Sequence, residues 1–287
     1  MNLSRRRLAF RNAALFDSRA GLMRPGATVV VEDGLVVGVE FGAVKVDDAE
    51  VLDLAGKALL PGLIDVGWTE LIFNHITAKV PGPENHYLIN PYGLWYNEVT
   101  ASNLVKVNLA GQAVDGSKYP VNIAGFIIHS AIHAVRQDAH CIIHTHSTAG
   151  SAVATKRDGL RFDNFYSAYL HGDVAYHEFE GVTTDTVEQS RLVASLGTKS
   201  ALILRNHGLL VTGPAIPQAF STYWILQRAC EIQVATDAMR GDNLPLTQKV
   251  LDETPARTLP FRTGPRPGGL VFDALLRRAG IRYDDIA

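Results

Sequence analysis

Apolar and polar positions follow different rhythms along this chain. In its first part the apolar runs are short and rich in β-branched residues: Leu8–Leu15, Ala27–Val31, Leu35–Val39 and Val51–Leu54. Turn signals such as Glu32-Asp33-Gly34 separate them, which predicts a small β-rich segment over residues 1–66. From Trp68 the rhythm lengthens. Leu71–Val80 alternates like a strand, Pro81–Asn85 is a loop, and His86–Asn90 is a short strand entering the turn Pro91-Tyr92-Gly93. Thr100 or Ser102 can cap a helical turn, followed by a strand up to Val107. Ile123–Gln137, Thr183–Leu196 and Ile216–Arg240 have helical apolar periods. The proline-rich stretch Asp242–Gly269 predicts an extended connection, and Val271–Ala279 a short closing helix. Strands and helices mixed over residues 67–240 predict a layered α/β domain around a central sheet.

Two further apolar runs carry histidines. Ala139–His146 predicts a buried strand, and residues two apart on a strand share a face. His144 and His146 thus sit side by side where Ser147-Thr148-Ala149-Gly150 breaks the pattern. A third imidazole, His207, follows the apolar run Ala201–Leu204. Three His with an open position suit a catalytic metal site better than a structural one. Neutral imidazole suits zinc, manganese or iron, so ligand type alone does not choose the metal; zinc is the expectation, with manganese or iron as alternatives.

Composition narrows the setting. The chain has 287 residues, enough for one large domain or two smaller ones, and a formal net charge of −2 gives no electrostatic case for nucleic acid or a membrane surface. No run approaches the length of a membrane span, and Arg5-Arg6-Arg7 is not followed by a signal-peptide core. Cys141 falls in a predicted strand and Cys230 in a predicted helix, so the expectation is a reducing, cytoplasmic setting without structural disulfides.

Two resemblances add to this reading. The run Ala55–Val66, with Pro61-Gly62-Leu63-Ile64-Asp65, resembles the N-terminal β-segment of the amidohydrolase superfamily. Gly67 and Trp68 stand where that family carries a His-x-His pair, so the expectation is a fragment without amidohydrolase chemistry. Residues 67–245 resemble the class II aldolase/adducin family, on the runs Gly67–Thr77, Leu88–Leu94, His129–His146 and Leu204–Gly213. The expected organisation is therefore a β-rich segment over 1–66, an aldolase/adducin domain over 67–245 and a C-terminal extension over 246–287. The second resemblance implies a three-layer α/β/α fold with a mostly antiparallel central sheet. It also implies a homotetramer with active sites between neighbouring subunits, and a divalent metal on His144, His146 and His207.

The resemblance also exposes departures. The sugar-phosphate aldolases of the family carry an acid/base Glu where this chain has Gly125, and no carboxylate lies between Val121 and Gln137. Their phosphate-binding positions correspond to Asn74, His75, Tyr92, Ile123 and Ala124, which disfavours a dihydroxyacetone-phosphate type of substrate. The expected activity is a metal-dependent carbon–carbon lyase, by decarboxylation or retro-aldol cleavage of a small carboxylated or hydroxy-keto substrate. The metal would act as a Lewis acid. His75, Tyr166 and His171 are the candidate catalytic groups; His75 could hydrogen-bond a substrate carboxylate. Asn74, Thr77 and Tyr92 are the candidate substrate contacts. Glu70 could face the site as a replacement acid, but the favoured expectation is a solvated or salt-bridged side chain; His133 is expected to be structural, and His129 close behind the metal ligands. The alternatives are a non-haem iron oxygenase on the same histidines and a non-catalytic adducin-like scaffold.

Overall fold

The structure is a computed structural model that describes residues 7–17, 22–32, 35–42, 45–46, 48–53, 58–59, 70–82, 85–182, 186–263 and 268–278. Pro61–Asp65 and Gly67–Thr69, which carry part of the two resemblances, lie outside the described residues. The chain divides into two compact units. The first holds residues 1–66, 95–104 and 271–287, and the second holds 67–94 and 105–270.

The first unit is a sheet of β1 (Arg7–Asp17), β2 (Leu22–Glu32), β3 (Leu35–Phe41), β4 (Glu50–Asp53) and β5 (Ala58–Leu59). β1, β2 and β3 form an antiparallel meander, while β4 and β5 run parallel to successive stretches of β1. Alternation puts Ala13, Ala27 and Val29 on one face, where Phe10, Val31 and Val39 pack around them. Two 3-10 turns, Tyr96–Glu98 and Ala101–Asn103, also belong to this unit, and in the second Asn103 Oδ1 accepts from the Thr100 N–H at 2.8 Å.

The second unit is built on β6 (His75–Lys79), β7 (Tyr87–Ile89), β8 (Val105–Val107), β9 (Cys141–Thr145), β10 (Val174–His177), β11 (Ala201–Leu204) and β12 (Gly208–Gly213). Their order is β10-β11-β12-β9-β6-β7-β8, and every pair is antiparallel except β10 with β11. Its helices are α1 (Ile123–Val135), α2 (Thr148–Ala154), α3 (Phe165–Tyr169), α4 (Gln189–Leu196), α5 (Ile216–Asp237) and α6 (Gln248–Thr263). β9, β11 and β12 are buried along their whole length because helices cover both faces. Cys141, Ile143, Ile203, Leu209 and Val211 pack against α2 and α5. Ile142, Leu202, Leu204 and Leu210 pack against α1 and α4. Each such Leu or Ile contributes about 1.5–3 kcal/mol by leaving water. The result is the three-layer α/β/α arrangement with a mostly antiparallel sheet. α7 (Gly269–Arg278) follows. Among the described residues, no helix is long and apolar enough to cross a membrane.

Two predicted elements differ. Asp242–Gly269 is not an extended connection throughout, because α6 occupies Gln248–Thr263 despite Pro255 and Pro260 within it. Each proline removes one helical donor, the one that would reach the Leu251 or the Ala256 carbonyl; at other carbonyls of the helix, Thr254 donates its hydroxyl to Val250 at 2.6 Å and Thr258 to Pro255 at 3.0 Å. Helical charge pairs assist, with Glu253 receiving Arg257 at 2.6 Å. The predicted strand Leu71–Val80 shortens to His75–Lys79. Its start is a turn in which Phe73 N–H donates to the Glu70 carbonyl at 3.2 Å and Leu71 takes a left-handed φ of 55°.

Candidate metal centre

His144 lies in β9 on the face covered by α1, together with Ile142. His146 follows one residue after the strand ends. His207 closes the turn between β11 and β12, whose tightness rests on Asn206 at a left-handed φ of 55°. β12 pairs with β9, so this turn is carried to the end of the His144 strand. Gly208 permits that approach: a Cβ there would stand 2.3 Å from the Thr145 carbonyl oxygen. The need is close contact between strands; an unusual φ is not involved.

The three side chains converge. His144 Nε2 is 2.9 Å from His146 Nε2, which is 2.9 Å from His207 Nε2. Nitrogens around a tetrahedral zinc at ordinary Zn–N distances stand about 3.3 Å apart, so the spacing is close to that of a coordinated cation. The protonation pattern also fits. His144 Nδ1 donates to the Leu209 carbonyl at 2.9 Å, which leaves Nε2 as the lone-pair nitrogen. Burial, reinforced by the neighbouring imidazoles, holds His144 well below its ordinary pKa. His207 is lowered to about 4, by burial first and His146 second, and burial also lowers His146. Neutral imidazoles with inward-facing nitrogens are what a divalent metal requires.

Polar groups brace the ligands. The backbone N–H of His146 donates to Glu70 Oε2 at 3.2 Å and to Asn74 Oδ1 at 3.0 Å. Asn74 also donates its amide to Glu70. Glu70 is half-buried, and burial raises its pKa against the opposing effect of these hydrogen bonds. It is thus tied to the metal strand, where the sequence favoured a solvated or salt-bridged side chain over one facing the site. No local signal distinguishes it; only the turn that folds Glu70 back onto β9 does.

His75 pairs directly across from His144 in the β6–β9 register, with ring centroids 4.7 Å apart. Its other side faces α1: a Cβ on Gly125 would lie 2.7 Å from the His75 ring. The imidazole therefore fills the space over the position where the resemblance expects Glu. Behind it is a buried chain. His75 Nδ1 is 3.0 Å from His129 Nε2, His129 Nδ1 is 2.8 Å from Thr77 Oγ1, and Thr77 Oγ1 is 2.8 Å from His133 Nε2. His133 Nδ1 ends the chain on the Ala139 carbonyl at 2.9 Å. Gly125, His129 and His133 are spaced four apart on α1, which aligns them over His75 and Thr77.

The other predicted site residues lie variously. Asn74 is buried beside the ligands through His146. Thr77 is also buried, and its hydroxyl is taken up by His129 and His133, which makes it support for His75 more than a lining group. Tyr92 is half-buried and anchored by its backbone N–H to the Pro120 carbonyl at 3.0 Å. Tyr166 packs edge-on against Trp224, and His171 against Phe162. None of Tyr92, Tyr166 and His171 shares a hydrogen bond or ring contact with the three ligands among the described residues.

Comparison with known proteins agrees with this geometry. The family described as "Class II Aldolase and Adducin N-terminal domain" matches residues 58–234. A provisionally named aldolase class 2 protein of Caulobacter vibrioides is 40% identical over 82% of this chain and 91% of its own length. Alpha-adducin of Mus musculus is 45% identical over 74% of this chain, which spans only 30% of that protein. The crystal structure of an aldolase II superfamily protein from Pseudomonas syringae superposes with a TM-score of 0.69 at 42% identity, covering 74% of this chain and 85% of that one. L-fuculose 1-phosphate aldolase from Glaciozyma antarctica PI12 gives 0.62 at 30% identity, covering 75% and 86%. These relatives lend no support to the amidohydrolase resemblance of residues 1–66. With the match running through the sheet, the helices and all three histidines, the chain belongs to the class II aldolase and adducin N-terminal domain family.

Proposed function

We propose that this protein is a metal-dependent carbon–carbon lyase acting on a small carboxylated or hydroxy-keto substrate, by retro-aldol cleavage or decarboxylation. The observation that carries the reading is the convergence of three neutral imidazole nitrogens on one point. His144, His146 and His207 would hold the cation, zinc by preference and manganese or iron as alternatives. When bound, the cation supplies a Lewis acid for charge developing on a carbonyl oxygen. The chain's own residues do the rest. The Leu209 carbonyl orients His144. Glu70 and Asn74 hold the backbone at His146. His75 stands where an acid/base carboxylate is missing, against the bare Cα of Gly125. His171 and Tyr166 remain candidate proton donors, and Asn74 and Tyr92 candidate substrate contacts.

We further propose residues 1–66, 67–245 and 246–287 as the working division of the chain, a homotetramer on the strength of the family resemblance, and a reducing cytoplasmic setting, consistent with two buried unpaired cysteines. Elemental analysis of the purified protein and of His207→Ala is the test. Near-stoichiometric metal, lost in the variant, supports the reading; no metal in either after reconstitution refutes it. Cleavage assays on hydroxy-keto and keto-acid substrates then separate the two reactions, and light scattering measures the assembly. The similarity to alpha-adducin favours one second reading, a family-shaped scaffold; metal binding without cleavage of any such substrate supports it.

A further inference from the structure

The buried chain behind His75 has a direction, and the direction decides what His75 can bind. A carbonyl oxygen only accepts, so at the Ala139 end His133 Nδ1 carries the hydrogen. His133 is neutral at pH 7, since burial lowers it to about 4. Its Nε2 therefore accepts, and Thr77 donates its only hydroxyl hydrogen there. With that hydrogen committed, Thr77 Oγ1 accepts from His129 Nδ1–H. The Nε2 of a neutral His129 is then a lone pair, so His75 Nδ1 donates to it. Each link follows from the one before, and Nε2 of His75 is left without a hydrogen. That nitrogen makes no hydrogen bond and is not among the enclosed unpartnered polar atoms of the described residues.

We infer that His75 is a specificity-determining hydrogen-bond acceptor, locked as the Nδ1–H tautomer by Thr77, His129 and His133, and that it receives a substrate hydroxyl. A carboxylate, which only accepts, finds no donor at this nitrogen. This narrows the sequence-based expectation that His75 grips a carboxylate. It rests on the lyase reading only for the identity of the pocket's occupant; the tautomer stands on the hydrogen-bond chain alone. Thr77, His129 and His133 are positioning residues, and they act through His75.

The test is nitrogen NMR on the full-length protein, zinc-loaded and metal-free, with 15N-labelled histidine. Two-bond proton–nitrogen correlations report which ring nitrogen is protonated, and His75→Asn identifies the His75 signals. The expected result is a protonated-type Nδ1 and an unprotonated-type Nε2 for His75, His129 and His133 alike. A protonated Nε2 on His75 overturns the inference. Thr77→Val should turn the single tautomer of His75 and His129 into a mixture, while Thr77→Ser keeps it single; an unchanged tautomer in Thr77→Val refutes the chain as its cause. If Thr77→Val does not fold, the wild-type assignment decides. Hydroxyacetone added to the zinc-loaded protein should move the His75 Nε2 resonance toward the protonated range, and acetate should leave it in place. A shift with acetate, or with neither, overturns the acceptor role. Absence of carbon–carbon cleavage would defeat the lyase reading yet leave these nitrogen signals legible, so the two failures are distinguishable.

Discussion

Gly125→Ala tests whether His75 has taken over the space of the absent carboxylate. The added Cβ would lie 2.7 Å from Cδ2 and Cγ of His75 and 3.0 Å from Nδ1. A flexible side-chain end could swing away, but this ring cannot do so freely. It is buried, it lies against His144 at 4.7 Å, and its Nδ1 is tied to His129. In a packed core such an insertion costs about 1–3 kcal/mol. If the ring moves instead, the buried His129 nitrogen is stranded, at a similar cost of roughly 1–3 kcal/mol. Against this, alanine is the better helix former by about 0.5–1 kcal/mol, and less at the third residue of α1, where helical bonding is incomplete. The net expectation is destabilisation of about 1–3 kcal/mol. Urea unfolding followed by circular dichroism measures it, alongside His75→Ala and the double variant. In the double variant the clash is gone, so Gly125→Ala should become neutral or slightly stabilising, a coupling of about 1–3 kcal/mol. A neutral Gly125→Ala in the wild-type background would sink the argument, as would equal effects with and without the imidazole.

The remaining predictions concern the same surroundings. Gly208→Ala places its Cβ 2.3 Å from the Thr145 carbonyl, a backbone atom that cannot swing aside; the turn carrying His207 should shift, and metal affinity measured by competition with a chelator should fall at least about tenfold. Unchanged affinity would show that the turn tolerates the contact. Asn122 caps α1 by accepting from Gly125 N–H at 3.2 Å, so Asn122→Ala should cost about 1 kcal/mol in the same urea assay; no loss would mean that water caps the helix equally well. His133 is lowered to about 4 by burial, so between its unfolded value near 6.5 and that value the unfolded chain binds the extra proton. Its contribution is complete above about pH 6.5 and is lost as pH falls toward 4. Stability measured from pH 7 to 4 should fall less steeply in His133→Gln than in the wild type, and identical slopes would contradict the assignment.

Much of the architecture is legible in the chain because it depends on local spacing. The run Cys141–Thr145 is apolar on both faces of a strand, which announces a strand covered by helices on both sides. The helical period over Ile123–Gln137 places α1, and the two-residue interval of His144 and His146 puts both imidazoles on one face. His207 was recognisable from its place after an apolar run, since a ligand at a strand end is a matter of local sequence. Where local signals compete, the sequence misleads: Pro255 and Pro260 argued against α6, yet the helix runs through both, with i,i+4 charge pairs such as Glu253–Arg257 along it.

What only the tertiary structure decided is which groups meet across elements. Nothing near Glu70 in the sequence indicates that a turn brings its carboxylate to the backbone of His146, far along the chain. The interval of His129 and His133 shows a shared helical face, but their partners come from β6, whose register against β9 is a long-range choice. Thr77 looked like a substrate contact by position; packing α1 over β6 turned its hydroxyl toward two imidazoles. The glycine at 125 marks a missing carboxylate in the sequence, and only the fold shows that an imidazole from another strand fills its place. Periodicity fixes which way a side chain points within its own element, whereas hydrogen-bond direction in a buried chain is set by the groups at its far end.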